Sequence, residues 1–177
     1  MQIIVINGMP RAGKDCFVNS CKKHTYWCLN VSTVDFVKEI AAECGWDGTK
    51  TPKNREFLSN LKDLLTKWGD VPYKKVLREI DLFRARMESH NFEPDKEGIV
   101  FIHCREPKEI TKLVKNLNAH SLLIRRPAIE NIEQSNHADA EVFNYEYDIT
   151  IYNDGTFEDL DKKAVDFLRS LNVQHLI

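Results

Sequence analysis

The chain has 177 residues, 42% hydrophobic and 29% charged, which at roughly 150 residues per domain predicts one domain with enough apolar content for a core. Twenty-five Lys and Arg against 27 Asp and Glu leave a net charge of −2. That balance argues against nucleic acid or an anionic membrane as partner, and no apolar run approaches the roughly 18 residues that span a bilayer. The 5 cysteines (Cys16, Cys21, Cys28, Cys44, Cys104) are odd in number and form no Cys-x-x-Cys pair. They predict reduced thiols in a cytoplasmic protein, not a disulfide framework or a zinc ribbon. The first apolar run begins almost at the first residue, which leaves no room for a signal peptide.

In chain order, Ile3 to Ile6 is a continuous apolar run stopped at Asn7-Gly8, the pattern of a strand buried on both faces in a parallel sheet. Lys14 to His24 has helical spacing, and Tyr26 to Val31 is β-prone. Val37, Ile40, Ala41 and Cys44 predict a helix ended by Gly45. Thr51-Pro52 opens another, carrying Phe57, Leu61, Leu64 and Trp68 up to Gly69. Tyr73 to Met87 predicts a further helix, and Asn91 to Gly98 a loop. Ile99 to Ile102 is a strand, Pro107 to Leu117 a helix, and Ser121 to Ile124 a strand. Arg125 to Tyr145 is polar and weakly periodic, an excursion with one short helix. Asp148 to Tyr152 is the last strand, and Thr156, with Asp159 three residues on, caps a closing amphipathic helix. Strands alternating with helices predict an α/β fold with a parallel sheet.

The stretch with a chemical signature is Gly8-Met9-Pro10-Arg11-Ala12-Gly13-Lys14-Asp15, a Gly-x4-Gly-Lys frame between a strand and a helix. Glycines permit torsions that turn successive N–H groups onto phosphate oxygens. A helix N-terminus adds donors and partial positive charge, and Lys14 reaches the outer phosphates of a nucleotide. At about 7% glycine the bare frame arises by chance in roughly 5% of chains this long, and the strand-before, helix-after context narrows that further. Residues 8–15, with Cys16 behind them, are the candidate ATP-binding segment. Asp15 stands where Ser or Thr commonly offers a hydroxyl to Mg²⁺. Its carboxylate is a hard oxygen donor for that ion, or else simply an acid favoured by the helix dipole.

With these residues the chain resembles the P-loop nucleoside and nucleotide kinases, and within them the phage-type deoxynucleoside monophosphate kinases, where Gly-Lys-Asp replaces Gly-Lys-Ser/Thr. Further echoes are Ser32-Thr33-Val34-Asp35-Phe36-Val37-Lys38 after the second strand and His103-Cys104-Arg105-Glu106-Pro107 after the third. Leu123-Ile124-Arg125-Arg126-Pro127 and the closing Tyr147–Thr156 segment add to them. The resemblance implies a P-loop NTPase fold, a five-stranded parallel sheet in the order 2-3-1-4-5 with a short lid over about 125–145. It implies ATP and Mg²⁺, a helical acceptor region over about 33–92, and small nucleotide substrates, with a homodimer left open. Lys14, Arg125, Arg126 and Asp35 are then the catalytic candidates. Asp35, Lys38, Arg55, Arg84 and Arg105 are the acceptor-binding ones, and Asp15 the metal ligand. Arg78 and Arg86 lie in the same helical region, and Trp27, Trp46 and Trp68 read as core or acceptor-pocket lining. Two features depart from the pattern. No acid ends the third strand, and the segment around His137–Glu141 matches a lid only loosely. The leading reading is ATP-dependent phosphoryl transfer to a deoxynucleoside monophosphate. The alternatives are a nucleoside or non-nucleotide phosphate acceptor, or an ATP-binding regulatory module without transfer.

Overall fold

The computed structural model describes residues 1–49, 51–130 and 141–173. Five strands form one parallel sheet: β1 (Gln2–Asn7), β2 (Trp27–Ser32), β3 (Gly98–His103), β4 (His120–Arg125) and β5 (Ile149–Tyr152), in the order β2-β3-β1-β4-β5. The helices between them are α1 (Lys14–Lys23), α2 (Asp35–Glu43), α3 (Pro52–Gly69), α4 (Val71–Ser89), α5 (Pro94–Glu97), α6 (Pro107–Leu117), α7 (Pro127–Glu130) and α8 (Phe157–Ser170). The α/β layering is the one the sequence pattern predicts, and the five-strand order is the one the resemblance implies.

The continuous apolar runs have a simple cause. On β1, β3 and β4, Ile4, Ile6, Ile99, Phe101, Leu122 and Ile124 face a core closed by Phe17, Cys21, Leu160 and Phe167 of α1 and α8. The intervening Val5, Val100 and Ile102 face a second core closed by Val76 and Ile80 of α4 and by Ile110 and Leu113 of α6. A strand with helices on both faces has no side to leave polar. The Phe17 ring meets Phe167 edge-on at 5.4 Å, which locks α1 to α8.

The register places Ile6 opposite His103, Ser32 opposite His103 and Asn7 opposite Leu123. The carboxyl ends of β1 to β4 therefore share one edge. The short edge strand β5 is keyed by Asp148, whose carboxylate accepts from the N–H and the hydroxyl of the buried Ser121, both at 2.7 Å.

Several expectations need correction. The loop before β3 contains the helical turn α5, held where the Glu93 N–H donates to the Glu97 carboxylate at 2.6 Å. Of the excursion over 125–145, α7 is the short helix seen; residues 131–140, with most of the loosely lid-like segment, lie outside the described residues. Trp68 is no core residue, being 84% exposed. Trp27 packs edge-on against Phe83 and Phe92 where β2 begins, the edge away from the strand ends. The free cysteines include Cys21 and Cys104, buried in the two cores. Burial pushes the Cys28 thiol up to about 12. Among the described residues no helix is long and apolar enough to cross a membrane.

The cap of α8 is complete. The Thr156 hydroxyl accepts from the Asp159 N–H at 3.2 Å, and the Asp159 carboxylate accepts from the Thr156 N–H at 2.9 Å. Thr156→Ala should cost about 1 kcal/mol in urea denaturation. These bonds hold the Asp159 carboxyl below the usual carboxylate range. Its contribution is therefore full above that range and disappears as pH falls through the depressed value. The stability difference between wild type and Asp159→Asn should accordingly narrow in acid.

Candidate active site at the strand ends

The segment 8–14 leaves β1 and enters α1 through three unusual torsions: φ is 152° at Gly8, 66° at Arg11 and 97° at Gly13. Only Gly8 and Gly13 adopt such values without strain. At both positions a side chain would also collide. A Cβ on Gly8 would enter the Ile124 carbonyl oxygen, and one on Gly13 would enter the Asn153 amide. Gly13 is the N-cap of α1 and supplies no side-chain oxygen. No side chain of the N-cap covers this first turn, the arrangement that suits a phosphate. The Lys14 ammonium folds over the loop, donating to the Gly8 carbonyl at 2.7 Å and to Met9 O at 3.0 Å.

Each segment residue has a distinct place. Met9 and Ala12 are buried in the core, so their side chains do not face a ligand and only their backbone is available. Pro10 is half-buried, and Arg11, Asp15 and Cys16 are exposed. Asp15, 87% exposed on the first turn of α1, presents a hard oxygen donor beside the loop. This fits a nucleotide-borne Mg²⁺, which binds through one or two carboxylates plus phosphate oxygens and water. Among the described residues no three His, Cys, Asp or Glu side chains are grouped to hold an ion alone.

Two asparagines that sequence reasoning missed hold the loop. Asn7 is 1% exposed. Its Oδ1 accepts from the Gly8 N–H at 2.8 Å, and its Nδ2 donates to the Arg105 carbonyl at 3.2 Å and to Tyr147 Oη at 2.7 Å. Tyr147 in turn donates to the Val142 carbonyl at 2.8 Å. Burial pushes that phenol up to about 12, so it keeps its proton. Asn153, just past β5, donates from Nδ2 to the Ala12 carbonyl at 2.9 Å and from its backbone N–H to the Arg125 carbonyl at 2.7 Å. The only sequence hint was that both asparagines follow predicted strands.

Five further candidates gather at the same edge. Asp35 opens α2, where its carboxylate accepts from the Ser32 N–H at 2.7 Å and from Lys38 Nζ at 3.3 Å. Arg105 is exposed in the β3–α6 connection. Arg125 ends β4 with its guanidinium on the Glu130 carboxylate, Nε to Oε1 at 2.9 Å, between the rings of Phe143 and Tyr152. Arg126 is exposed beside it. His103, the last residue of β3, stands where an acid was missing. Burial pushes its imidazole below the ordinary histidine value, so it is neutral at pH 7.

Arg84 does not belong to this group. Its guanidinium meets Asp95 at 3.4 Å, and Asp95 also accepts from the amino group of Met1 at 3.0 Å. Met1 precedes β1, so this cluster lies at the opposite edge of the sheet, about six residues or 20 Å from the loop. Arg86, stacked at 5.9 Å over Trp27 at the start of β2, lies at that edge too.

A buried cation was also missed. Lys62, 6% exposed on α3, donates to Glu106 and to Glu109, the latter at 2.7 Å. Burial opposes its charge, but Glu109 and Glu106 outweigh that and raise its pKa. Arg55 lies seven residues earlier on the same helix face, about 10 Å along the axis.

The Asn153 bond predicts a specific effect on ligand binding. Asn153→Ala removes one neutral hydrogen bond of about 1 kcal/mol from the loop, so ADP affinity measured by calorimetry should fall about fivefold. Gly13→Ala, which is both strained and obstructed, should abolish it.

No family model and no curated protein sequence matches the chain. Among solved structures it is similar to TT1252 from Thermus thermophilus, 19% identical over 96% of this chain and 97% of that one, with a TM-score of 0.53. A dephospho-CoA kinase from Campylobacter jejuni is 12% identical over 96% and 97%, at a TM-score of 0.45. A shikimate kinase from Aquifex aeolicus is 10% identical over 97% and 99%, also at 0.45. At these identities the likeness is one of fold, and the chain has the phosphate-loop α/β fold with strand order 2-3-1-4-5.

Proposed function

We propose that the chain is an ATP-dependent phosphotransferase that moves the γ-phosphoryl group, with Mg²⁺, onto a small acceptor, first among them a deoxynucleoside monophosphate. The observation that carries this reading is the Gly8–Lys14 loop, with its glycine torsions, its uncapped helix N-terminus and an ammonium group folded over it. Phosphoryl transfer asks little covalent chemistry of a protein and much positioning and positive charge. The loop amides and Lys14 would hold the donor phosphates. Asp15 would hold the cation, which neutralises charge on the transferred group. Arg105 would fork onto an acceptor phosphate, with Arg55 and Lys38 beside it. Asp35 would orient the acceptor. Arg126 and Arg125 would face the group in flight.

The pairing of Arg125 with Glu130 and the absence of an acid at the end of β3 favour a second reading, an ATP-binding module without transfer. A coupled ADP-release assay over deoxynucleoside monophosphates, nucleosides and non-nucleotide phosphates separates the two. Stimulated turnover supports the first reading, and ATP turnover that no acceptor stimulates rejects it. With the accepted substrate, Lys14→Ala should lower kcat/KM at least about a hundredfold. The Arg125→Ala/Arg126→Ala pair should lower turnover comparably and leave ATP affinity nearly unchanged; unaltered turnover would remove both arginines from the site.

A further inference from the structure

His103 is the last residue of β3, in register with Ile6 and with Ser32, so its ring sits at the strand-end edge beside the phosphate loop. Its Nε2 is buried and makes no hydrogen bond among the described residues. An unpaired buried polar atom costs about 1–3 kcal/mol, and a native structure that keeps one calls for a ligand, a water or an ion at that point. The nearest carboxylate oxygen is Oδ1 of Asp15, 3.9 Å away. That is too far for a hydrogen bond; neighbouring ligands of one ion at about 2.0–2.2 Å stand roughly 3 Å apart, so the exposed Asp15 side chain would close about 1 Å to share an ion with the ring.

We propose that His103, through Nε2, is a ligand with Asp15 of the divalent cation that travels with the nucleotide, and that this imidazole shifts the site's preference from Mg²⁺ toward Mn²⁺. The inference rests on the nucleotide reading above. Two protein donors leave the remaining positions to phosphate oxygens and water, as expected of a cation carried in by its substrate. The pairing also accounts for two departures from the usual motif together. A carboxylate replaces the hydroxyl after Lys14, and an imidazole replaces the acid at the end of β3. An all-oxygen set suits Mg²⁺, whereas an imidazole nitrogen favours first-row transition ions, among which Mn²⁺, the weakest binder of the series, is the one that also suits the oxygen-rich remainder supplied by Asp15, phosphate and water. The negative charge of Asp35 lies close enough to act on the imidazole and supports a cation there; the ammonium groups of Lys14 and Lys38 oppose it. A phosphate tail drawing Lys14 off the loop carbonyls would lessen that opposition.

The test uses the full chain with ADP and Mn²⁺. Calorimetry in EDTA first measures ADP binding without metal. Pulsed electron paramagnetic resonance of the Mn²⁺–ADP complex then reads the ligand atoms directly. The expected result is a ¹⁴N coupling from a bound imidazole in the wild type, which needs no variant to be informative. It should vanish in His103→Gln, with Mn²⁺ affinity of the ADP-loaded protein falling on the order of tenfold and Mg²⁺ affinity falling less. No nitrogen coupling in a wild type that binds ADP overturns this inference alone. So does a His103→Gln variant that loses ADP affinity equally in EDTA, since the ring would then be bonding phosphate. A wild type that binds no ADP overturns the inference and the nucleotide reading together.

Discussion

The working edge of this protein depends on how two asparagine side chains hold the backbone between β1 and α1. Asn7 ties the start of the loop to the β3–α6 connection and, through Tyr147, to the chain that enters β5. Asn153 ties its end to the exit of β5 and, through its own N–H, to the exit of β4. The loop is thus bonded to three other crossings of the sheet before any ligand arrives. Such preorganisation matters because a loop ordered only on binding would spend conformational entropy at that moment. A buried amide satisfied on both its donor and acceptor sides is also rigid, since any other rotamer leaves polar atoms unpaired in a low-dielectric interior.

A second constraint sets the acceptor side. Lys62 draws α3 against the head of α6, and Lys112 pairs with Asp70 at the foot of α3. α3 itself packs on α2 and α4, so these two pairs are long side-chain tethers from it to α6. The Lys62 pairs do not by themselves make the fold stable, because burying this ammonium offsets much of their attraction. What they supply is a fixed register, since a slip of α3 by one turn would strand a buried ammonium among apolar side chains.

The strands and the glycine turn between β1 and α1 were legible in the sequence because their signals are local. A run such as Ile3 to Ile6 reports burial on both faces, and Gly8 to Asp15 carries its own geometry within eight residues. The tethers were not legible. Asn153 lies 141 residues from the Ala12 carbonyl it holds, and nothing in a polar turn says which loop it will meet. Arg84 failed for a different reason. Periodicity assigns a residue to a face of a helix but not to an end of the sheet. The 19-residue α4 is about 28 Å long, more than the length of the strands beneath it, so its first and last turns serve opposite edges. Lys62 was hidden because a lysine on a helix is ordinarily solvated, and only the fold brings Glu106 and Glu109 to it.

The pairing of Arg125 with Glu130 weighs less against a role in transfer than it first suggests. The bond is bidentate, but both groups stand near the surface, where such pairs contribute about 0–1 kcal/mol. Exchanging the carboxylate for phosphate oxygens keeps the number of charge-assisted bonds and adds a second negative charge to face. The rings of Phe143 and Tyr152 flank the guanidinium. They limit where its plane can turn, and the Tyr152 hydroxyl accepts a long 3.5 Å bond from its Nη1. On the proposed function, Glu130 would hold this permanent cation in place while no phosphate is present. Lys14 is held in the same way by the carbonyls of Gly8 and Met9. Lys14 and Arg125 would thus exchange acceptors of the protein for those of a ligand, which is the condition for a site that is ordered when empty and still gains on filling.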